Sequence, residues 1–461
     1  MTLRSIWLAP LVLSLLSGCA TLSTDEDVAE ATAASLPTLP ELWAVDGAFP
    51  GEVRIGWIEA IGDPVLTELV REAQANNPDI RAAAASLEAS RALVRQARAP
   101  LFPQINGVLN VDQTDSPQPF VPNDPVYTAT IQAQWEADLW GRVRAGRNAA
   151  YASAQAVEAD FRFAQYALAS GVAAAYFASI EAQEQVGVAR RTVDALAEID
   201  RIVRVRYREG FASRQDTATA GTDLETARDS LLQAQAGARA ARRALEVLLG
   251  RYPADRLDLI EEVPETPPMP PAGLPSDLLE RRPDVVAAER RVAAAFASLD
   301  QAKAAQLPLV SLTASGGGTS TDLFDILNGP NLLWSVVGNV LQPIFDGGLR
   351  GAQVDEADAN RRAAIALYAS TALGALREVE DSLDQAQVLA QREVILENAA
   401  EESGTAYALA QLQYSEGEIA LIDVLNIQQR LFAAERNLVA VRRARIEQWV
   451  ALNLALGGSW Q

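Results

Sequence analysis

The sequence predicts a mainly α-helical chain, made of two internal repeats, that also gives four strands to a membrane β-barrel. Three observations predict it. The chain repeats itself once, at an offset of 205 to 207 residues. No proline interrupts 142–252 or 344–461, and both stretches carry long helical patterning. Short segments near 104–136 and 309–342 alternate apolar and polar side chains, the pattern of a transmembrane β-strand.

Composition closes other routes. The chain has 461 residues, 39 Lys+Arg against 60 Asp+Glu, and a formal net charge of −21. That balance excludes nucleic acid as a partner, because nothing neutralises phosphates. There is no His and one Cys, so an imidazole base, a His or thiolate metal centre and an internal disulfide are excluded. No nucleophile elbow is present, which argues against a periplasmic enzyme, and no metal or cofactor is called for. Hydrophobic residues make up 49%, enough for a large core.

Residues 1–18 read as a signal peptide: Arg4, then an apolar run from Ile6 to Leu16 that is too short to span about 30 Å of hydrocarbon. Leu16-Ser17-Gly18-Cys19 resembles a bacterial lipobox, which makes Cys19 the expected site of diacylation. Ala20 in place of Asp favours outer-membrane sorting by the same resemblance. Residues 19–63 form a lipidated N-terminal tether and equatorial segment, and the small polar stretch 20–40 is its flexible part.

Repeat 1 covers 64–250 and repeat 2, with the C-terminal tail, covers 275–461. Asn77-Pro78-Asp79-Ile80 returns as Arg282-Pro283-Asp284-Val285, and Tyr207-Arg208-Glu209-Gly210 as Tyr414-Ser415-Glu416-Gly417. Asp216 returns as Asp423 and Gly250 as Gly457. The linker 251–274 is rich in proline, a stiff connector. Each repeat reads helix, strand, strand, long helix, helix. The first helices are expected over 64–99 and 275–305. The long helices are expected over 142–209 and 348–416, ended by Gly210 and Gly417, with partners over 213–249 and 419–456. In the first, Val157, Phe161, Leu168, Val172, Tyr176 and Ile180 begin a stripe that Val193, Leu196, Ile199, Val203 and Tyr207 continue. Its 68 residues would span about 100 Å.

In the segment 126–136, Tyr127, Ala129, Ile131, Ala133 and Trp135 alternate with Thr128, Thr130, Gln132, Gln134 and Glu136. Strands near 104–112 and 309–315 alternate likewise; 332–342 is apolar on both faces. Loops are expected at 113–125 and 317–331. Alternation alone also fits a soluble antiparallel sheet. If the strands lie in a membrane, four cannot close a barrel, since about eight is the smallest that does, and several chains must share one.

The segment Trp57 to Asp63-Pro64, with Asn77-Pro78-Asp79, carries a family resemblance. So do Gly273-Leu274-Pro275-Ser276-Asp277-Leu278-Leu279-Glu280-Arg281-Arg282-Pro283-Asp284, Ala302 to Pro308, and Asp423-Val424-Leu425. These motifs make the chain similar to the outer membrane factor (TolC-like) family, in the lipoprotein branch that serves resistance-nodulation-division pumps. The resemblance implies a homotrimer with one shared 12-stranded β-barrel and a long α-helical tunnel reaching into the periplasm. It implies an outer-membrane exit duct of a tripartite efflux pump, working with a periplasmic adaptor and an inner-membrane pump. It implies no enzyme activity.

The same resemblance places a gate at the periplasmic helix turns. The matching positions are Asp423 and Tyr414, with Asp216 and Tyr207 as repeat equivalents, and the hairpin tips Gly210 and Gly417 as adaptor-docking points. One family position that supplies a latch Arg falls here on Ile419, and Asn426 replaces a second acid, which leaves Arg208 or Arg214 as stand-ins. Asp216 and Asp423 also fit helix N-terminal capping. A rival reading is a lipid-anchored coiled-coil spacer without a pore.

Overall fold

The structure, a computed structural model, describes residues 22–45, 51, 53, 56–113 and 124–459. The signal peptide, Cys19 and most of the first strand loop lie outside the described residues.

Helices α1 (Asp25–Ala34), α2 (Trp57–Ile61), α3 (Pro64–Asn76) and α4 (Pro78–Arg98) precede strands β1 (Gln104–Asp112) and β2 (Val126–Glu136). The long helix α5 (Arg142–Arg208) and its partner α6 (Arg214–Leu248) complete repeat 1. Repeat 2 runs α7 (Pro275–Arg281), α8 (Pro283–Ala304), β3 (Leu309–Ser320), β4 (Leu332–Leu341), α9 (Leu349–Glu416) and α10 (Leu421–Ala455). The compact units do not follow the repeats. Of the described residues, one unit holds those up to 37 and those within 85–159 and 286–371; the other holds those within 38–84 and 160–285 and those from 372 on, so each draws on both repeats.

Three expectations are corrected. The helices expected over 64–99 and 275–305 are each broken in two, at Asn77 and Arg282, which have extended backbones (ψ 128° and 117°). Pro78 and Pro283 cause the break: a proline disfavours helical geometry in the residue before it and then starts the next helix without needing its missing N–H. The 20–40 tether contains helix α1. Its start is a capping box between Thr24 and Asp27, and Val28 and Thr32 are buried. The Ser23 N–H donates to Asp300 at 2.6 Å, which fixes the segment further. Lastly, residues 317–320 belong to β3 and not to the following loop.

That last correction has a steric cause. In the four-stranded antiparallel sheet, ordered β1-β2-β3-β4, β2 and β3 approach closely at the glycine run. A Cβ on Gly317 would lie 2.0 Å from the Ala129 carbonyl oxygen, and one on Gly318 would lie 1.8 Å from that of Ile326. A Cβ on Gly316 would meet nothing within 4 Å. Gly317→Val is therefore expected to abolish the assembled oligomer, seen as a heat-modifiable band on gels of outer-membrane fractions. Gly316→Ala is expected to leave that band intact; equal behaviour of the two would contradict the packing.

The register resolves the strand faces, because opposed residues share a face. Ile105, Leu109 and Val111 oppose Ala133, Ala129 and Tyr127. Trp135 opposes Leu312, and Ala314 opposes Val336. On β4, Trp334, Val336 and Val340 fall in this apolar row, and Ser335 and Asn339 fall in the other together with Leu333, Val337 and Leu341, so β4 is apolar on both faces. The polar row bonds across strands: Ser315 to Ser335 at 2.8 Å and Thr128 to Thr319 at 3.3 Å. The apolar row is bare, with Trp334 83% and Ile105 71% exposed. Among the described residues, both β1 and β4 pair on one side only.

In the second unit, α3, α5, α6 and the end of α10 share one core. Leu66, Val70, Val172, Tyr176, Phe177, Leu245, Ile446 and Trp449 are buried there. The Tyr176 hydroxyl donates to Asp63 at 2.5 Å, while the other Asp63 oxygen caps α3 through Val65 N at 2.8 Å. A window of α5 is apolar enough to cross a membrane by length and composition, and 44% of it is buried by protein. The proline linker is pinned by two indoles: Trp43 Nε1 donates to the Ala272 and Gly273 carbonyls, each at 3.2 Å, and Trp449 Nε1 to that of Pro268 at 3.0 Å.

The helix joints repeat as the sequence does. Asn77 Nδ2 donates to the Leu248 carbonyl at 2.9 Å, and Arg282 Nη1 to that of Ala455 at 3.4 Å. Arg282 also holds Asp284 at 2.8 Å and Glu378, and lies 5.9 Å from the Phe163 ring centre.

Candidate functional site at the helix-hairpin tips

The long helices end by the same device. At Gly210 (φ 81°) the Phe211 N–H reaches back to the Arg206 carbonyl at 2.8 Å, and the Gly210 N–H to that of Tyr207 at 3.1 Å. At Gly417 (φ 81°) the Glu418 N–H reaches the Gln413 carbonyl at 2.8 Å, and the Gly417 N–H that of Tyr414 at 3.1 Å. A left-handed residue is needed at this position, and glycine takes it without steric cost.

Below both turns lies an apolar cluster that includes Leu196, Val203, Leu224, Tyr407, Tyr414, Leu421, Val424 and Leu425. Ile419 packs half-buried against it, which explains an apolar residue where the resemblance suggested a latch arginine. Arg208 and Arg214 are exposed.

The cation at the junction is Arg206. Its Nη1 donates to the Tyr414 carbonyl at 2.6 Å, and its guanidinium carbon lies 4.8 Å from the centre of the Tyr414 ring. Positive charge is favoured at the carbonyl end of a helix, and a guanidinium over an aromatic face gains further. A Cβ on Gly417 would stand 3.6 Å from Arg206 Nη2. The backbone N–H and hydroxyl of Ser213 hold the Asp216 carboxyl below the usual carboxylate range, and the charge of Arg206 adds to this. Burial pushes the Tyr414 phenol up, against the pull of Arg206.

Of the residues singled out from the sequence, Asp216, Tyr414 and Gly417 thus gather around Arg206. The two remaining gate candidates, Tyr207 and Asp423, stand apart. Tyr207, expected on the buried stripe, is 42% exposed. Asp423 is exposed, and its carboxylate accepts the Ala420 N–H at 3.3 Å. The two caps differ: the Ser213–Asp216 box is reciprocal, whereas Ala420 has no side-chain oxygen to return the bond. The Asp423 carboxylate therefore accepts one hydrogen bond and the Asp216 carboxylate two. Arg206 itself was readable only as an asymmetry, since Gln413 stands at its repeat position.

The family model described as outer membrane efflux protein matches residues 69–251 and again 274–458, one match per repeat. The solvent efflux pump outer membrane protein SrpC of Pseudomonas putida is 34% identical over 431 residues, 87% of each chain. The pyoverdine export outer membrane protein OpmQ of Pseudomonas aeruginosa is 32% identical over 428 residues, 88% of this chain and 87% of that one. The solved outer-membrane channel OprN superposes with a TM-score of 0.85 at 28% identity, covering 96% of this chain and 100% of its own. CusC superposes with a TM-score of 0.84 at 25% identity, covering 92% and 98%. The chain belongs to the outer membrane efflux protein family.

Proposed function

We propose that this chain is the outer-membrane exit duct of a tripartite efflux pump. It is a passive channel and not an enzyme. It receives substrate from an inner-membrane pump through a periplasmic adaptor and releases it across the outer membrane. The observation that carries the reading is the sheet: a bare apolar row on one face, a hydrogen-bonded row that is polar on β1 to β3 on the other, and two edges unpaired among the described residues. Open edges are not tolerated in hydrocarbon, so sister copies must close the cylinder. Three copies of four strands give the 12-stranded barrel.

The finer parts of the proposal rest on placement. Acylation of Cys19 anchors the chain to the outer membrane. The tips at Gly210 and Gly417 meet the adaptor. Arg206, Asp216 and Tyr414 hold the tips together, and Asp423 supplies exposed negative charge beside them. The relatives are named for solvents and for pyoverdine, which supports a duct whose cargo is chosen elsewhere in the pump.

Planar-bilayer recording of the purified protein tests the reading, with discrete channel steps as the expected result. Silence from intact oligomers would favour the pore-free spacer. Palmitate labelling checks the anchor: label present in the native chain and absent in Cys19→Ser is expected, and label in both would remove Cys19.

A further inference from the structure

A cavity of about 420 Å³ opens among α5, α6 and α10, above the apolar cluster. Its size lies in the range of small-molecule sites. Leu196, Leu425 and Phe432 give it apolar walls, and Asp223, Gln428 and Arg436 are its polar contributors of interest. Asp223 has no counter-cation at ion-pair distance among the described residues. Burial alone pushes its carboxyl above the usual range. Gln428 is 2% exposed, and its amide nitrogen is buried without a hydrogen-bond partner. Arg436 stands exposed at the rim.

A partly desolvated carboxylate without a counter-charge, lining the same cavity as an unpaired buried donor, costs free energy that a suitable ligand would return. We propose that this cavity is a binding site for an amphiphilic amine. The ammonium pairs with Asp223, the apolar body lies against Leu196, Leu425 and Phe432, and an acceptor oxygen faces Gln428 or Arg436. All of these residues belong to one compact unit, so the site is complete within it. It does not depend on the duct reading, since binding is measured without transport.

Dansylcadaverine is a fitting probe, with an ammonium, a naphthalene ring and sulfonyl oxygens. Its fluorescence on titration into the detergent-solubilised oligomer should saturate at one probe per chain. Asp223→Asn should weaken binding at least tenfold, and Gln428→Leu several-fold. Asp229→Asn, the same charge change on exposed α6 surface, should leave it unchanged and so control for micelle partitioning. The uncharged N-butyl dansylamide should bind weakly and equally to the native chain and Asp223→Asn. Ser230→Phe, which places bulk in the cavity lining, should abolish saturable binding. Native-like affinity in Asp223→Asn, or an unsaturable signal in the native chain, would overturn the proposal.

Discussion

Replacing Arg282 with Met is expected to cost about 3–5 kcal/mol of stability, the largest effect of any single substitution in the helical core. The Arg282 side chain is 5% exposed and holds Asp284 and Glu378. It also reaches the end of α10 through the Ala455 carbonyl. One guanidinium therefore ties the end of α7, the start of α8 and the end of α10 to the middle of α9, at the joint that Pro283 creates. Met fills much of the volume but leaves Asp284 half-buried and unpaired. The thermal unfolding midpoint of the solubilised protein should fall sharply. Adding Asp284→Asn and Glu378→Gln should recover part of the loss, because the damage lies in the uncompensated charges. A midpoint within error of the native value would contradict this account.

Arg206→Ala is expected to open the tips. A hydrogen bond from a charged donor contributes roughly 1.5–3 kcal/mol, or about a 10- to 150-fold change in the closed–open ratio per chain. Closed-state conductance in planar bilayers should rise by at least several-fold. Arg206→Lys should restore little of the latch, since a compact ammonium has no planar face to stack on the Tyr414 ring while it donates to the carbonyl. Asp423→Ala is a separate arm: it should alter cation preference and closed-state conductance by removing exposed charge. No change from Arg206→Ala would remove the latch, and no change from Asp423→Ala would remove that residue from the gate.

Much of this was legible in the sequence where local chemistry decides. Gly210 and Gly417 announce helix ends because only a left-handed residue completes those turns. The helix breaks at Asn77 and Arg282 follow from the prolines after them, although the Ala-rich runs around them conceal the interruption. Helix α1 was concealed by the small polar composition of 20–40, yet Thr24 and Asp27 are spaced as a capping box. The Gly316–Gly318 run reads as a turn by composition. Its role as strand is set by the Ala129 and Ile326 carbonyls, which lie far away in the chain or across the loop. Arg206 meets Tyr414 across 208 residues, so no local pattern could single it out from Arg208 or Arg214. The same holds for Asp223 and Gln428, which share a cavity only after three helices have packed.

The central claim is that β1 of one chain pairs with β4 of another. Disulfide trapping tests it most directly, in a Cys19→Ser background, with a cysteine scan along β1 against a fixed cysteine on β4 at Val337. The account predicts intermolecular cross-links in register, building covalent dimers and trimers in outer-membrane fractions. Cross-links confined within single chains, or none at any register in folded protein, would contradict it.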